Sequence, residues 1–75
     1  MAKLKYEIRR QLAVLSENER SGWTKEVNIV SWNGGAEKMD IRDWNPDHSK
    51  MSKGVTLSEE EARILGKAIA DVLGR

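Results

Sequence analysis

The stretch from Trp23 to Trp44 constrains the fold more than any other part of the chain, because two runs of strand-forming residues flank Asn33-Gly34-Gly35. Asn and Gly accept the positive φ values of tight hairpin turns, so the two runs are expected to pair as antiparallel strands. The second run, Glu37 to Trp44, alternates cleanly: Lys38, Asp40, Arg42 and Trp44 fall on one side, Met39 and Ile41 on the other. Successive side chains of a strand point to opposite faces. One face is therefore apolar, and the other carries two cations and an indole toward solvent or ligand. The first run, Trp23 to Trp32, has apolar residues at both parities, which marks a central strand whose faces a bulge or strong twist switches partway along.

Leu4 to Leu15 also alternates, with Leu4, Tyr6, Ile8, Leu12 and Val14 on one parity. It reads as a first strand, long enough to bend, although a helix is compatible with the same residues. Ser16 to Gly22 is a polar turn, and Asn45 to Lys50, with Pro46, is a loop. Met51 to Thr56 reads as a short fourth strand. Gly54 within it marks a bulge or a close approach of backbone or ligand. Ser58, with Glu61 three residues on, forms a capping box for a helix that runs to about Leu73, where Gly74 ends it. The stripe Ala62, Leu65, Ile69, Val72 and Leu73, widened by Ile64 and Ala68, suits packing on a sheet and against a second copy of the helix. The expected architecture is α+β: a curved four-stranded antiparallel sheet followed by one C-terminal helix (ββββα), in a single domain over residues 1–75.

A chain of 75 residues buries a modest core and often adds disulfides, metal or a second subunit. There is no Cys and one His, which excludes disulfides and thiolate zinc and argues against a histidine metal site. No cofactor or metal is expected, and oligomerisation remains as the route to more buried surface. No run is apolar and long enough to span a membrane, so a cytoplasmic protein is the default. The net charge of +1 gives little bulk attraction to nucleic acid, so the distribution of charge has to supply it.

An enzyme has little support. Glu59, Glu60 and Glu61 are explained by the first turn of the helix, and Asp47-His48 lacks an oriented third partner. No phosphate loop or nucleophile elbow is present, so neither a catalytic residue nor a small-molecule substrate is assigned. The three Trp either plug the core or stack bases. Trp44 leans toward stacking because its parity partners are Lys38, Asp40 and Arg42, whereas Trp23 shares its parity with Val27 and Ile29. Lys25, Lys38, Arg42 and Lys53 lie on expected strands or strand edges, either as solvated surface charges or as phosphate contacts.

Asp40-Ile41-Arg42-Asp43-Trp44, a polar turn, then Lys53-Gly54-Val55-Thr56-Leu57-Ser58 and an acidic helix start resemble the single-stranded-DNA-binding domain of the transcriptional coactivator positive cofactor four family. The size is similar to its bacterial, YdbC-like members. The resemblance covers roughly Tyr6 to Leu73 and implies a homodimer that holds single-stranded DNA on the basic and aromatic face of the sheet. By position it implies nucleic-acid-binding roles for Lys25, Trp32, Lys38, Arg42, Trp44 and Lys53. The expected function is single-stranded DNA binding with little sequence preference, in transcription regulation, replication or repair. In that reading Trp32 and Trp44 stack bases while the four cations hold phosphates. Single-stranded or structured RNA on the same face, or a protein-interaction module that binds no nucleic acid, are the alternatives.

Overall fold

The computed structural model describes residues 4–74; positions 1–3 and 75 of the expected 1–75 domain lie outside the described residues. Four strands, β1 (Tyr6–Glu17), β2 (Thr24–Trp32), β3 (Glu37–Trp44) and β4 (Val55–Leu57), precede one helix, α1 (Glu59–Leu73). The sheet is an antiparallel meander in the order β1-β2-β3-β4. The β2–β3 hairpin closes as expected: Asn33 and Gly34 adopt φ of 51° and 75°, and the Gly35 N–H donates to the Trp32 carbonyl at 2.8 Å. Positive φ at both central residues matches the right-handed twist of the flanking strands.

Of the bulge or strong twist expected in β2, no bulge is present against β3, and three irregularities lie in β1 instead. β2 pairs with β3 without interruption, whereas β1 slips against β2 between Ile8 and Arg10, Gln11 and Ala13, and Val14 and Ser16. Each slip adds an unpaired residue that bends the bulged strand and increases its twist. A nearly flat edge strand invites pairing with another chain, and these bulges also blunt that edge.

The fourth strand is shorter than Met51 to Thr56. Met51 makes an isolated bridge to Trp44, and regular pairing begins at Val55 opposite Ile41. Between them, the Ser52 N–H donates to the Asp43 carbonyl at 3.0 Å, and the Ser52 hydroxyl accepts from the Asp43 N–H at 3.1 Å. Gly54 is the close approach anticipated from its place in the sequence: a Cβ there would lie 2.3 Å from Arg42 Cβ and 2.5 Å from the Ile41 carbonyl oxygen.

The capping box on α1 is formed. The Ser58 hydroxyl accepts from the Glu61 N–H at 3.1 Å, and Glu61 Oε1 accepts from the Ser58 N–H at 2.8 Å. Two helix-end donors are thereby satisfied, and Glu59–Glu61 lie at the positive end of the helix dipole. The helix lies mainly against β3 and β4. Ala62 is half-buried and the remaining helix residues are exposed, among them Ile64 at 59% and Val72 at 68%. Among the described residues no helix is long and apolar enough to cross a membrane.

Candidate nucleic-acid interface

The register puts Glu26, Asn28, Val30 and Trp32 of β2 on the same face as Lys38, Asp40, Arg42 and Trp44 of β3. Tyr6 of β1, opposite Trp32, and Thr56 of β4, opposite Asp40, complete that face. Tyr6 and Trp44 sit at opposite ends of the ladder, because Trp44 pairs with Thr24. Eight residue steps along a flat β2 would separate them by about 26 Å. Their ring centroids are 5.2 Å apart, so the sheet is curled with this face inside.

The concave face was expected to be open, and most of it is closed. Trp44 is fully buried and does not offer its indole to a base in this structure. Strand parity identifies the neighbours of Trp44 but not what lies above it. The loop after β3 folds back so that the His48 ring is 5.5 Å from Trp44, and Tyr6 packs against the same indole while its hydroxyl donates to the His48 carbonyl. The buried layer of this face is mostly polar: Glu26, Asn28 and Asp40 are buried alongside Val30 and Trp44. The apolar side, with Val27, Ile29, Met39, Ile41 and Leu57, is only half-buried.

The layer stays folded because its charges are paired. Glu26 accepts from Thr24, from Asn28 Nδ2 at 3.0 Å and from His48 Nε2, which lies 2.9 and 3.1 Å from its two oxygens. Burial is the largest single influence and pushes the Glu26 carboxyl up, but these hydrogen bonds and the His48 charge together hold it below its ordinary 4.5. A carboxyl lowered by folding contributes stability above its unfolded pKa and loses it as pH falls through the folded value. Wild-type protein is therefore expected to lose melting temperature more steeply than Glu26→Gln below pH 4.5, in a thermal melt followed from pH 7 to pH 3. Parallel curves would contradict the assignment.

Arg42 is held at its own strand. Its Nε and Nη2 donate to the two oxygens of buried Asp40 at 2.7 and 2.9 Å, and its carbon Cζ lies 4.7 Å from the Trp32 ring centroid. Trp32 itself is half-buried, and the Tyr6 ring meets it at 6.0 Å with a 50° tilt. Lys38 is exposed at the rim of the same face, opposite Val30, and makes no ion pair among the described residues. A tilted aromatic pair, a cation behind one ring and a free ammonium beside them make a surface on which a base could stack and a phosphate be neutralised.

A family profile described as Transcriptional Coactivator p15 (PC4) matches residues 19–68, two thirds of the sequence. The chain belongs to the PC4 family. The PC4 match runs from the turn before β2 into α1 and leaves β1, with Tyr6, outside it. The chain is also similar to an uncharacterized protein of Treponema pallidum (strain Nichols), 52% identical over 56 residues. That alignment covers 75% of this chain and 65% of the relative, so the chain spans just under two thirds of the relative's length.

Of the six residues that the PC4 resemblance singles out, Trp32, Lys38, Arg42 and Trp44 share one face, with Trp44 sealed beneath it. Lys25 does not join them. It pairs with Asp43 across the ladder on the opposite face, where its Nζ lies 3.3 Å from Asp43 Oδ1. Lys53 is exposed, one residue before Gly54. Tyr6, which packs on both Trp32 and Trp44, and the Glu26–His48 pair that pins the loop are not among those six residues. The signal for Tyr6 was its parity with Ile8, but the strand slips that bring it opposite Trp32 leave no mark in the alternation.

Proposed function

We propose that this chain is a single-domain, sequence-tolerant single-stranded-DNA-binding module that acts in transcription, replication or repair. Family membership supports the class of partner, and the observation that carries the reading is half-buried Trp32 beside unpaired Lys38 on the concave face. In this reading Trp32 stacks a base, with Tyr6 at its edge, and Lys38 and Lys53 neutralise phosphates. Stacking tolerates any base because every base has a π-face. Trp44 supports the platform from inside, and Lys25 takes no part.

Trp32→Ala is expected to weaken binding of an oligo-dT by about 5- to 150-fold, the equivalent of ~1–3 kcal/mol for one stacked base, and to lower the melting temperature less than truncation of fully buried Trp44. Fluorescence anisotropy with labelled oligomer checks it, and unchanged affinity would remove Trp32 from the site. Lys38→Gln should lower the salt slope of log K by about 0.7, the value for one phosphate contact on a single strand. A matched oligo-U that outcompetes oligo-dT would move the assignment to RNA, since preference for RNA needs a reader of the 2′-hydroxyl.

The same reading includes a homodimer. Ile64, Leu65, Ile69, Val72 and Leu73 are exposed on α1, and this supports a second copy as the cover for the helix. Sedimentation equilibrium should give twice the chain mass of 8.5 kDa, and a monomer at micromolar concentration would contradict it.

A further inference from the structure

We propose that Arg42 acts on the nucleic-acid face as a positioning residue for Trp32 rather than as a phosphate ligand, and that Asp40 and Thr56 hold it in that role. The inference rests on Trp32 being the stacking residue. A guanidinium has five N–H donors in a fixed fork. Two are spent on Asp40, and Nη1 is directed at the Ser52 carbonyl and at Met51 Sδ, each at 3.3 Å. Little donor capacity is left for a phosphate. The charge is also cancelled, because Asp40 is fully buried and Arg42 retains only 13% of its side-chain exposure. An approaching phosphate meets a neutral pair.

The remaining property of Arg42 is its planar face, set 4.7 Å from the centroid of the Trp32 ring. A cation at that distance is attracted to the ring and limits where the indole can sit. Asp40 is fixed in turn from β4, where the Thr56 hydroxyl donates to its second oxygen at 2.8 Å. Gly54 allows the chain to pass against Arg42, since any Cβ there would strike its side chain. Thr56, Asp40 and Arg42 thus form a line from the edge strand to the indole. Holding the ring in its bound position beforehand lowers the ordering cost of binding.

The test uses Arg42→Lys and Thr56→Val in the full chain. Arg42→Lys keeps the charge and removes the fork and the flat face. Thr56 is exposed, so Thr56→Val removes one hydroxyl contact without opening the interior. Oligo-dT affinity is measured across a salt series, and the Trp32 indole resonance, assigned with Trp32→Phe, is followed by NMR in the free protein. Both variants are expected to move that resonance. Arg42→Lys should also weaken binding at least about fivefold, the lower end of one stacking contact, with the salt slope unchanged. Wild-type affinity in Arg42→Lys would overturn the proposal, and an Arg42→Gln slope lowered by about 0.7 would overturn it by making Arg42 a phosphate ligand. An unmoved Trp32 resonance in both variants would overturn it whether or not the protein binds DNA. If wild-type protein fails to bind oligo-dT, the proposed function falls, while a moved resonance still supports the buttress.

Discussion

Trp44→Ala is expected to leave the chain largely unfolded, or to lower its denaturation midpoint by more than Trp32→Ala does. The indole is fully buried, against Tyr6 at 5.2 Å and His48 at 5.5 Å. Truncating a buried aromatic costs about 3–5 kcal/mol through lost transfer energy and the cavity left behind. A small domain holds roughly 5 kcal/mol in total, so little would remain. Val30 is the other fully buried apolar side chain among the described residues, so no second large core compensates. Trp44→Phe keeps a ring in the same space and should lose less. Urea unfolding followed by circular dichroism checks both. The contrast with Trp32→Ala is the informative part: in the proposed reading one indole serves stability and the other serves the ligand. A Trp44→Ala midpoint equal to wild type would return Trp44 to the surface.

Gly54→Ala is the second large effect, and it comes from crowding rather than from a cavity. The added carbon would sit 2.3 Å from Arg42 Cβ, 2.5 Å from the Ile41 carbonyl oxygen and 2.9 Å from Arg42 Nε. The first two are rooted atoms that cannot swing aside, so β4 or Arg42 must move. Overpacking of this kind costs about 1–3 kcal/mol, and two clashes with fixed atoms place it at the upper end. The same shift would pull Arg42 from Asp40 and from the Trp32 ring, so oligo-dT binding should fall along with the midpoint. Gly66→Ala is the matched control. Gly66 lies in α1, a Cβ there meets nothing within 4 Å, and the substitution should gain about 0.5–1 kcal/mol. Equal effects at the two glycines would contradict the close approach.

Much of the scaffold was legible because local chemistry and tertiary structure agree. Asn33-Gly34 form the turn they encode, Ser58 and Glu61 form the cap they encode, and the parity of β3 matches its two faces. The contents of the faces were harder to read. Alternation separates Lys38, Asp40, Arg42 and Trp44 from Met39 and Ile41, but it does not say which side the chain will cover. Here the loop after β3 covers the polar side, and buried Asp40 and Glu26 are tolerated because Arg42, Thr56, Thr24, Asn28 and His48 satisfy them. The partner of Trp32 was hidden for a different reason. Glu17 lies opposite Thr24, so an unbroken ladder would put Arg9 opposite Trp32. Three extra residues in β1 move that place to Tyr6. A register shift of this size follows from counting bulges, and a bulged residue looks like any other in the sequence.

The central claim is that the curled face bearing Trp32 and Lys38 grips a single strand. Titration of 15N-labelled protein with oligo-dT, followed by backbone and indole chemical shifts, tests it most directly. The account predicts that the largest shifts fall at Trp32, Tyr6 and Lys38, while Lys25, Val27 and Ile29 on the opposite face stay put. Shifts concentrated at Lys25, Val27 and Ile29, or no shifts at saturating oligomer, would contradict it.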